Sequence, residues 1–157
     1  MVEEVNSKCD VCVKFRRANL KPVVCFPRAT EFNENVGLDL KVFGSKFMLH
    51  LIDHFTRYSR GIVLNNKKAP TIVDGIVRAW VAIFGPAKKI LSDNGREFDN
   101  EEVKELCEKL NITVTATAAE SPWSNGVNER HNGIIGEMVN KLMEDGHSLV
   151  QAVCWSI

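Results

Sequence analysis

Three strand-like segments follow one another between residues 36 and 64, and this order constrains the fold more than any other feature of the sequence. In the first segment, apolar side chains alternate with other residues, which predicts a half-buried strand. The alternation puts Asp39 on the opposite sheet face from the apolar residues, which are Val36, Leu38, Leu40 and Val42. Residues 46–53 and 59–64 are the second and third predicted strands, and Gly44-Ser45 is a candidate hairpin turn.

Helix and strand patterns alternate after these three strands. A broad apolar stripe predicts a helix over residues 69–84, because Pro70 suits its first turn and Gly85-Pro86 ends it. Short apolar segments at residues 88–92 and 112–115 predict the fourth and fifth strands. The chain therefore has five predicted strands, of which the first three are consecutive.

Three further helices are predicted, one between the last two strands and two after them. Asp99 and Glu102 have the spacing of a capping pair, so the first of these helices is expected to start there and to run to Leu110. The next covers residues 126–145, and Ser148 caps a last apolar pattern. This order predicts an α/β domain, and 157 residues are enough for one domain with a sizeable core.

The charge balance bears on any partner that carries phosphates. Twenty basic and twenty acidic residues cancel, whereas nucleic-acid binding is driven by cationic surface. Residues 11–30 contain five basic and no acidic residues, which fits either a solvated linker or a phosphate-contacting arm. No apolar run approaches the roughly 20 residues that span a bilayer, so no membrane partner is expected. Five cysteines without a secretory signal favour reduced thiols or metal ligation.

Three acidic residues on three different predicted elements suggest a metal site. Asp39 lies on the first strand, Asp93 at the end of the fourth, and Glu129 near the start of a helix. Carboxylates that lie close together repel one another, and hard cations such as Mg²⁺ or Mn²⁺ relieve the repulsion. Two such ions can activate an attacking oxygen and stabilise a leaving oxygen in phosphodiester chemistry.

Each of these acids has an ordinary explanation when it is taken alone. An Asp in a strand commonly faces solvent, and an Asp before Asn-Gly commonly forms a turn. A Glu near the start of a helix interacts favourably with the helix dipole. The combination of the three, with their flanking residues, favours a metal site over three separate roles.

The helix that carries Glu129 has one small, polar face. At 100° per residue, this face also holds Asn132, Gly133, Gly136 and Asn140, opposite the apolar stripe. Both glycines lower the helix propensity, so we expect the face to have a use. Glycine there would permit close approach of another backbone, either the sheet or a bound DNA strand.

Three segments resemble the integrase core of retroviruses and retrotransposons, most closely that of Gypsy-type elements and their domesticated relatives. They are Ile52–Ser59 (Ile-Asp-His-Phe-Thr-Arg-Tyr-Ser), Leu91–Phe98 (Leu-Ser-Asp-Asn-Gly-Arg-Glu-Phe) and Ser121–Arg130 (Ser-Pro-Trp-Ser-Asn-Gly-Val-Asn-Glu-Arg). The thirty-five residues between Asp93 and Glu129 match as well. The resemblance implies a catalytic core over residues 34–157 with its C-terminal helix truncated. It also implies a ribonuclease-H-like fold, with a five-stranded mixed sheet flanked by helices.

The resemblance also implies a function. It makes Asp39, Asp93 and Glu129 a catalytic triad that holds two Mg²⁺ or Mn²⁺ ions. The implied reactions are processing of DNA 3′ ends and strand transfer into target DNA, which imply a nuclear location, and a homodimer is expected. Many family members carry basic residues one and two turns after the catalytic Glu, where this chain has glycines. The residues expected to contact DNA are Asn94, Asn125, Arg130, Asn132 and Lys141.

Cys9 and Cys12 resemble the second half of the N-terminal zinc site of this family. Tetrahedral zinc needs four ligands, and no histidine precedes Cys9. Residues 1–33 are therefore predicted to be a remnant of the zinc module followed by a basic linker. Zn²⁺ is expected only if the full protein supplies the upstream ligands.

Two other functions fit the same residues. A domesticated core would bind nucleic acid or serve in assembly with weak catalysis, which the neutral charge favours and the intact triad argues against. A ribonuclease-H-type nuclease would cut RNA–DNA hybrids, which the expected fold permits but does not assign. The spacing between Asp93 and Glu129 fits an integrase better.

Overall fold

The computed structural model describes residues 29–92, 98–116 and 126–157, and these form one sheet with helices on both faces. The strands are β1 (Asn35–Phe43), β2 (Lys46–Asp53), β3 (Ser59–Leu64), β4 (Lys89–Ser92) and β5 (Thr113–Ala116). Helix α1 comprises Ala69–Ile76, a π-helical turn Val77–Val81 and a last segment Ala82–Phe84. The other helices are α2 (Glu101–Lys109), α3 (Gly126–Glu144) and α4 (Leu149–Ser156).

The five strands are ordered β3-β2-β1-β4-β5 across the sheet. Strands β1, β2 and β3 are antiparallel, whereas β4 and β5 run parallel to β1. The short turn at Gly44-Ser45 joins β1 to β2, and the positive φ of Gly44 (59°) suits glycine. Parallel neighbours need a crossover connection, which α1 and α2 supply. The predicted five-stranded mixed sheet flanked by helices is confirmed.

Helices α1 and α2 cover one face of the sheet. Trp80, which lies in the π-helical turn, is fully buried there, and its indole Nε1 donates to Asn33 Oδ1 over 2.8 Å. Gly75 allows α1 to approach closely, since a Cβ at this position would lie 2.9 Å from Leu49 Cδ2. The predicted helix over residues 69–84 is confirmed, although Ile83, which belongs to its apolar stripe, is half exposed.

Helices α3 and α4 cover the second face. A separate apolar cluster joins them to the sheet, and its buried members are Met48, Ile135, Val139, Ala152 and Val153. The predicted apolar stripe of α3 is only partly buried, because Ile134 and Met138 are 52% and 42% exposed. Since helices cover both faces, polar side chains on the second face of β1 lie between the sheet and α3.

The start of α2 differs from the prediction. Asn100, in an extended conformation, is its N-cap, and the side-chain Oδ1 accepts a hydrogen bond from the Val103 amide over 2.9 Å. Asp99 pairs instead with Lys104 Nζ at 2.6 Å. The predicted cap at Asp99 is therefore wrong. Asn100 directly precedes the helix, so its side-chain oxygen, not that of Asp99, accepts from a free amide of the first turn.

Helix α4 begins as predicted. Ser148 and Gln151 form a capping box, in which each side chain accepts from the backbone amide of the other residue.

Among the residues that the structure describes, no helix is both long enough and apolar enough to cross a membrane.

Candidate active site

Asp39 lies in the middle of the sheet, beside the carboxyl end of β4. It is opposite His50 of β2, and the residue before it, Leu38, pairs with Ser92, the last residue of β4. Active sites of α/β sheets commonly form where strands end in this way. Asp93 and Asn94, which the sequence analysis assigned to the same site, lie outside the described residues.

A short hydrogen bond ties Asp39 to helix α3. Asn132 Nδ2 donates to Asp39 Oδ2 over 2.5 Å, and Asn132 is only 9% exposed. Hydrogen bonds to an ionised carboxylate are shorter and stronger than neutral ones. The contact therefore fixes the orientation of the Asp39 carboxyl group and holds α3 against β1.

The backbone of Glu129 belongs to the described part of α3, whereas its side chain lies outside the described structure. It precedes Asn132 by three residues, a spacing that puts two positions on the same side of a helix. Because Asn132 contacts Asp39, this side of α3 faces β1 at that point. Strand β1 and helix α3, which carry Asp39 and Glu129, are therefore adjacent.

Lys41 lies two residues after Asp39, on the same face of β1. Its Nζ donates to the main-chain oxygen of Asn132 over 3.3 Å, and its side chain lies against Gly136. At Gly136 it is thus the sheet that approaches the glycine face of α3. A Cβ at Gly133, in contrast, would meet nothing within 4 Å, and Asn140 is exposed.

Two stacked histidines lie beside Asp39. The rings of His50 and His131 are 5.3 Å apart with an angle of 12° between their planes. His50 is 1% exposed, and its ring nitrogens miss strict hydrogen-bond geometry to the described residues, although the Asn132 side chain is close enough to raise its pKa somewhat. Burial, followed by the charges of His131 and Lys41, lowers the pKa of His50 to about 4. His50 is therefore neutral at neutral pH and adds no positive charge beside Asp39.

The sequence analysis did not identify Lys41, His50 or His131 as parts of this site. The period of two in β1 was a sufficient signal for Lys41, since it must share a face with Asp39. The position of His50 follows from the register of the β1–β2 hairpin, and that of His131 from the way α3 packs on the sheet. Neither can be inferred from local periodicity.

The donor chemistry fits a hard divalent cation. Carboxylate oxygens are preferred ligands of Mg²⁺, and a hydrogen bond such as the one from Asn132 orients a ligand for its metal. Within residues 29–92, 98–116 and 126–157, no three His, Cys, Asp or Glu side chains gather around a common point. The other two predicted ligands, Asp93 and the Glu129 side chain, lie outside the described residues.

The remaining predicted site residues stay predictions. Arg130 is exposed on α3, and Lys141 is exposed and pairs with Glu137 Oε1 at 2.7 Å. The structure places Asn132 against Asp39 rather than on the surface. Asn125 and the predicted zinc half-site, Cys9 and Cys12, lie outside the described residues.

The mixed sheet, its flanking helices and the position of Asp39 define a ribonuclease-H-like domain. The family model described as the integrase core domain matches residues 33–122. Because the match covers more than half of the 157 residues, the chain belongs to the integrase core domain family.

The curated relatives are polyproteins of retroviruses and transposons. The chain is 29% identical over 96 residues to the retrovirus-related Pol polyprotein from transposon 412 of Drosophila melanogaster, which is 61% of this chain and 8% of that protein. It is 27% identical over 151 residues to the Gag-Pol polyprotein of koala retrovirus, which is 90% of this chain and 9% of that protein. The chain thus spans less than a tenth of the length of these relatives.

Solved structures of integrases share the fold. A chain of the simian T-cell lymphotropic virus intasome, in complex with PP2A regulatory subunit B56 gamma, superposes with a TM-score of 0.80 at 20% identity; the match covers 98% of this chain and 57% of that one. The HTLV-2 integrase catalytic core domain in complex with magnesium gives 0.69 at 20% identity, over 82% and 85%. These likenesses confirm the ribonuclease-H-like fold.

Proposed function

We propose that this chain is the catalytic core of an integrase, which processes DNA 3′ ends and transfers them into a target duplex with Asp39, Asp93 and Glu129. The observation that carries the proposal is the position of Asp39, beside the end of β4 and hydrogen bonded to Asn132 of α3. Asp93 follows β4 in the chain and Glu129 precedes Asn132 by one turn. The topology therefore supports a common site for the three carboxylates.

The metal in this proposal is Mg²⁺ or Mn²⁺. When bound, two such ions supply activation of the attacking oxygen and stabilisation of the leaving oxygen. The HTLV-2 core, whose fold this chain shares, is described in complex with magnesium, which supports the choice of cation. The protein contributes an Asp39 carboxyl group that Asn132 orients.

Substitution of the first two carboxylates tests this proposal. We expect Asp39→Asn and Asp93→Asn to lower metal-dependent strand transfer on a branched DNA substrate by roughly 100-fold or more, since metal stabilisation of the transition state amounts to several kcal/mol. Circular dichroism and thermal melting should show a folded protein. Asp74→Asn is the matched control. Asp74 is an exposed acid that pairs with Arg78 on α1, and α1 covers the opposite face of the sheet from α3.

Two outcomes would contradict the proposal. If Asp93→Asn joined or cut DNA as well as the parent chain, the triad assignment would be wrong. If the parent chain cut an RNA–DNA hybrid in preference to DNA ends, the ribonuclease-H-type function would replace integration. Calorimetry completes the test, because the absence of site-specific binding at millimolar Mg²⁺ or Mn²⁺ would favour a binding or assembly role.

We further propose that the chain forms a homodimer and acts in the nucleus, where its DNA substrates are. A dimeric form is described for the HTLV-2 core, which supports self-association. In this chain, Trp155 of α4 is 58% exposed and stacks edge-on against His147, with ring centroids 4.6 Å apart. A large exposed aromatic side chain of this kind is typical of the centre of protein interfaces.

A further inference from the structure

A lysine from the sheet fills the space that Gly136 leaves on α3. A Cβ built at Gly136 would lie 1.7 Å from Lys41 Nζ, 2.6 Å from Cε and 3.2 Å from Cδ. The outer half of the Lys41 side chain therefore occupies the volume that any larger residue at position 136 would need. The ammonium group reaches the face of α3 from strand β1 instead of from the helix itself.

Among the described residues, the hydrogen bond of Lys41 to α3 uses one of its donors. Its Nζ donates to the main-chain oxygen of Asn132 at 3.3 Å, and an ammonium group has three donors. Among the ion pairs that the described residues form, none includes Lys41. Lys41 is half-buried rather than buried, and its charge contributes to the low pKa of His50.

The position of this charge relative to Asp39 suggests what it binds. Residues i and i+2 of a strand are about 7 Å apart on one face, which is close to the spacing between neighbouring phosphates of a DNA strand. A DNA strand whose scissile phosphate lay at Asp39 would bring another backbone phosphate near Lys41. Both groups lie under the same side of α3.

We propose that Lys41 is a DNA phosphate contact, which supplies from strand β1 the positive charge that α3 lacks at Gly136. This inference rests on the proposed function, because it requires DNA to lie across Asp39. A purely structural role, in which Lys41 only links the sheet to α3, is the competing explanation. The two differ in what removal of the charge does to DNA binding.

The first test removes the charge and keeps the length of the side chain. Lys41→Met should weaken binding of a blunt duplex DNA at low salt by about 10-fold. The slope of log affinity against log salt concentration should also become shallower by about one unit. Lys46→Met is the matched control, because Lys46 is an exposed lysine at the start of β2, beside the hairpin turn. The control should keep the slope of the parent chain.

A charge swap tests the geometry. In the double variant Lys41→Ala with Gly136→Lys, the shortened side chain at 41 frees the space beside α3 and the ammonium group comes from the helix, so affinity and salt slope should recover to within about 3-fold of the parent. A structural link would instead give a lower melting temperature, an unchanged salt slope and no recovery in the swap. Recovery of both quantities therefore requires a phosphate contact.

A third pair of variants keeps Lys41 in the sequence, but displaces the end of its side chain equally in both. Gly136→Glu puts a carboxylate beside the displaced ammonium group and should lower affinity and slope, whereas Gly136→Gln, which has the same size, should change them less. If the parent binds the duplex and Lys41→Met, folded by circular dichroism, binds it with the same affinity and slope, the assignment of Lys41 is wrong and the proposed function stands. If the parent does not bind duplex DNA at low salt, both fail.

Discussion

Asp39 shows how one residue acquires a role from its neighbours. The strand pattern places it on one face of β1, but its carboxyl group is oriented by Asn132, which is 93 positions away in the chain. Asn132 itself is buried between α3 and the sheet, where its side chain also lies close to His50. We therefore expect Asn132 to act on catalysis by positioning Asp39.

Removal of the Asn132 amide should weaken metal binding more than the chemical step. A hydrogen bond to a charged group contributes about 1.5–3 kcal/mol, so Asn132→Ala should lower activity roughly 10- to 100-fold at limiting Mg²⁺. Activity measured against Mg²⁺ concentration should recover most of this loss at saturating metal. An equal loss at every concentration would contradict a positioning role. Asn140→Ala, an exposed position on the same helix, is the control.

At the scale of elements, the periodicity of the sequence predicted every helix and strand in the described residues, while end positions depended on single side chains. Helix α2 is the example, since Asp99 and Asn100 are both good cap residues. The structure selects Asn100, because its extended backbone places Oδ1 at the Val103 amide. Asp99 lies one position too early and pairs with Lys104.

The cap of α2 can be tested by its effect on stability. Asn100→Ala should lower the free energy of unfolding by about 1 kcal/mol, because it removes the acceptor of the Val103 amide. Urea denaturation at neutral pH measures the change. Asp99→Ala removes only an exposed ion pair and should leave the midpoint almost unchanged. A larger effect at Asp99 than at Asn100 would show that the cap is assigned to the wrong residue.

At the scale of the whole molecule, both faces of the sheet are covered, and several large apolar side chains that stay exposed lie on the helices of the second face. Trp155 on α4 and Met138 on α3 are 58% and 42% exposed. Both helices pack on the second face of the sheet through Met48 and its neighbours. Trp155 is the larger and the more exposed of the two, so the proposed contact with a second copy of the chain lies on α4.

Self-association should depend on Trp155. We expect the parent chain to sediment as a dimer at micromolar concentration and Trp155→Glu to sediment as a monomer, because a charge in an apolar interface is strongly disfavoured. Met138→Glu places the same charge on the exposed side of α3 and should stay dimeric. If Met138→Glu dissociated and Trp155→Glu did not, the interface would lie on α3.

Much of the fold was predictable from the sequence, because strands and helices follow from local periodicity. For the candidate site, residue types and spacing predicted three carboxylates, of which the structure describes the surroundings of Asp39. The period of two in β1 also puts Lys41 on the face of Asp39, but its contact with α3 was not predictable from it. His50 becomes part of the site only through the β1–β2 register and its stacking on His131.

The sequence by itself determined the order of the elements and the apolar faces that form the core, and it predicted the three carboxylates. These depend on interactions between residues close together in the chain. Only the tertiary structure decided that Asn132 orients Asp39, that Lys41 fills the gap at Gly136, and that His50 is buried and neutral. Those contacts join β1 and β2 to α3 across about 90 residues, and the packing of one layer on another, which local patterns do not encode, brings them together.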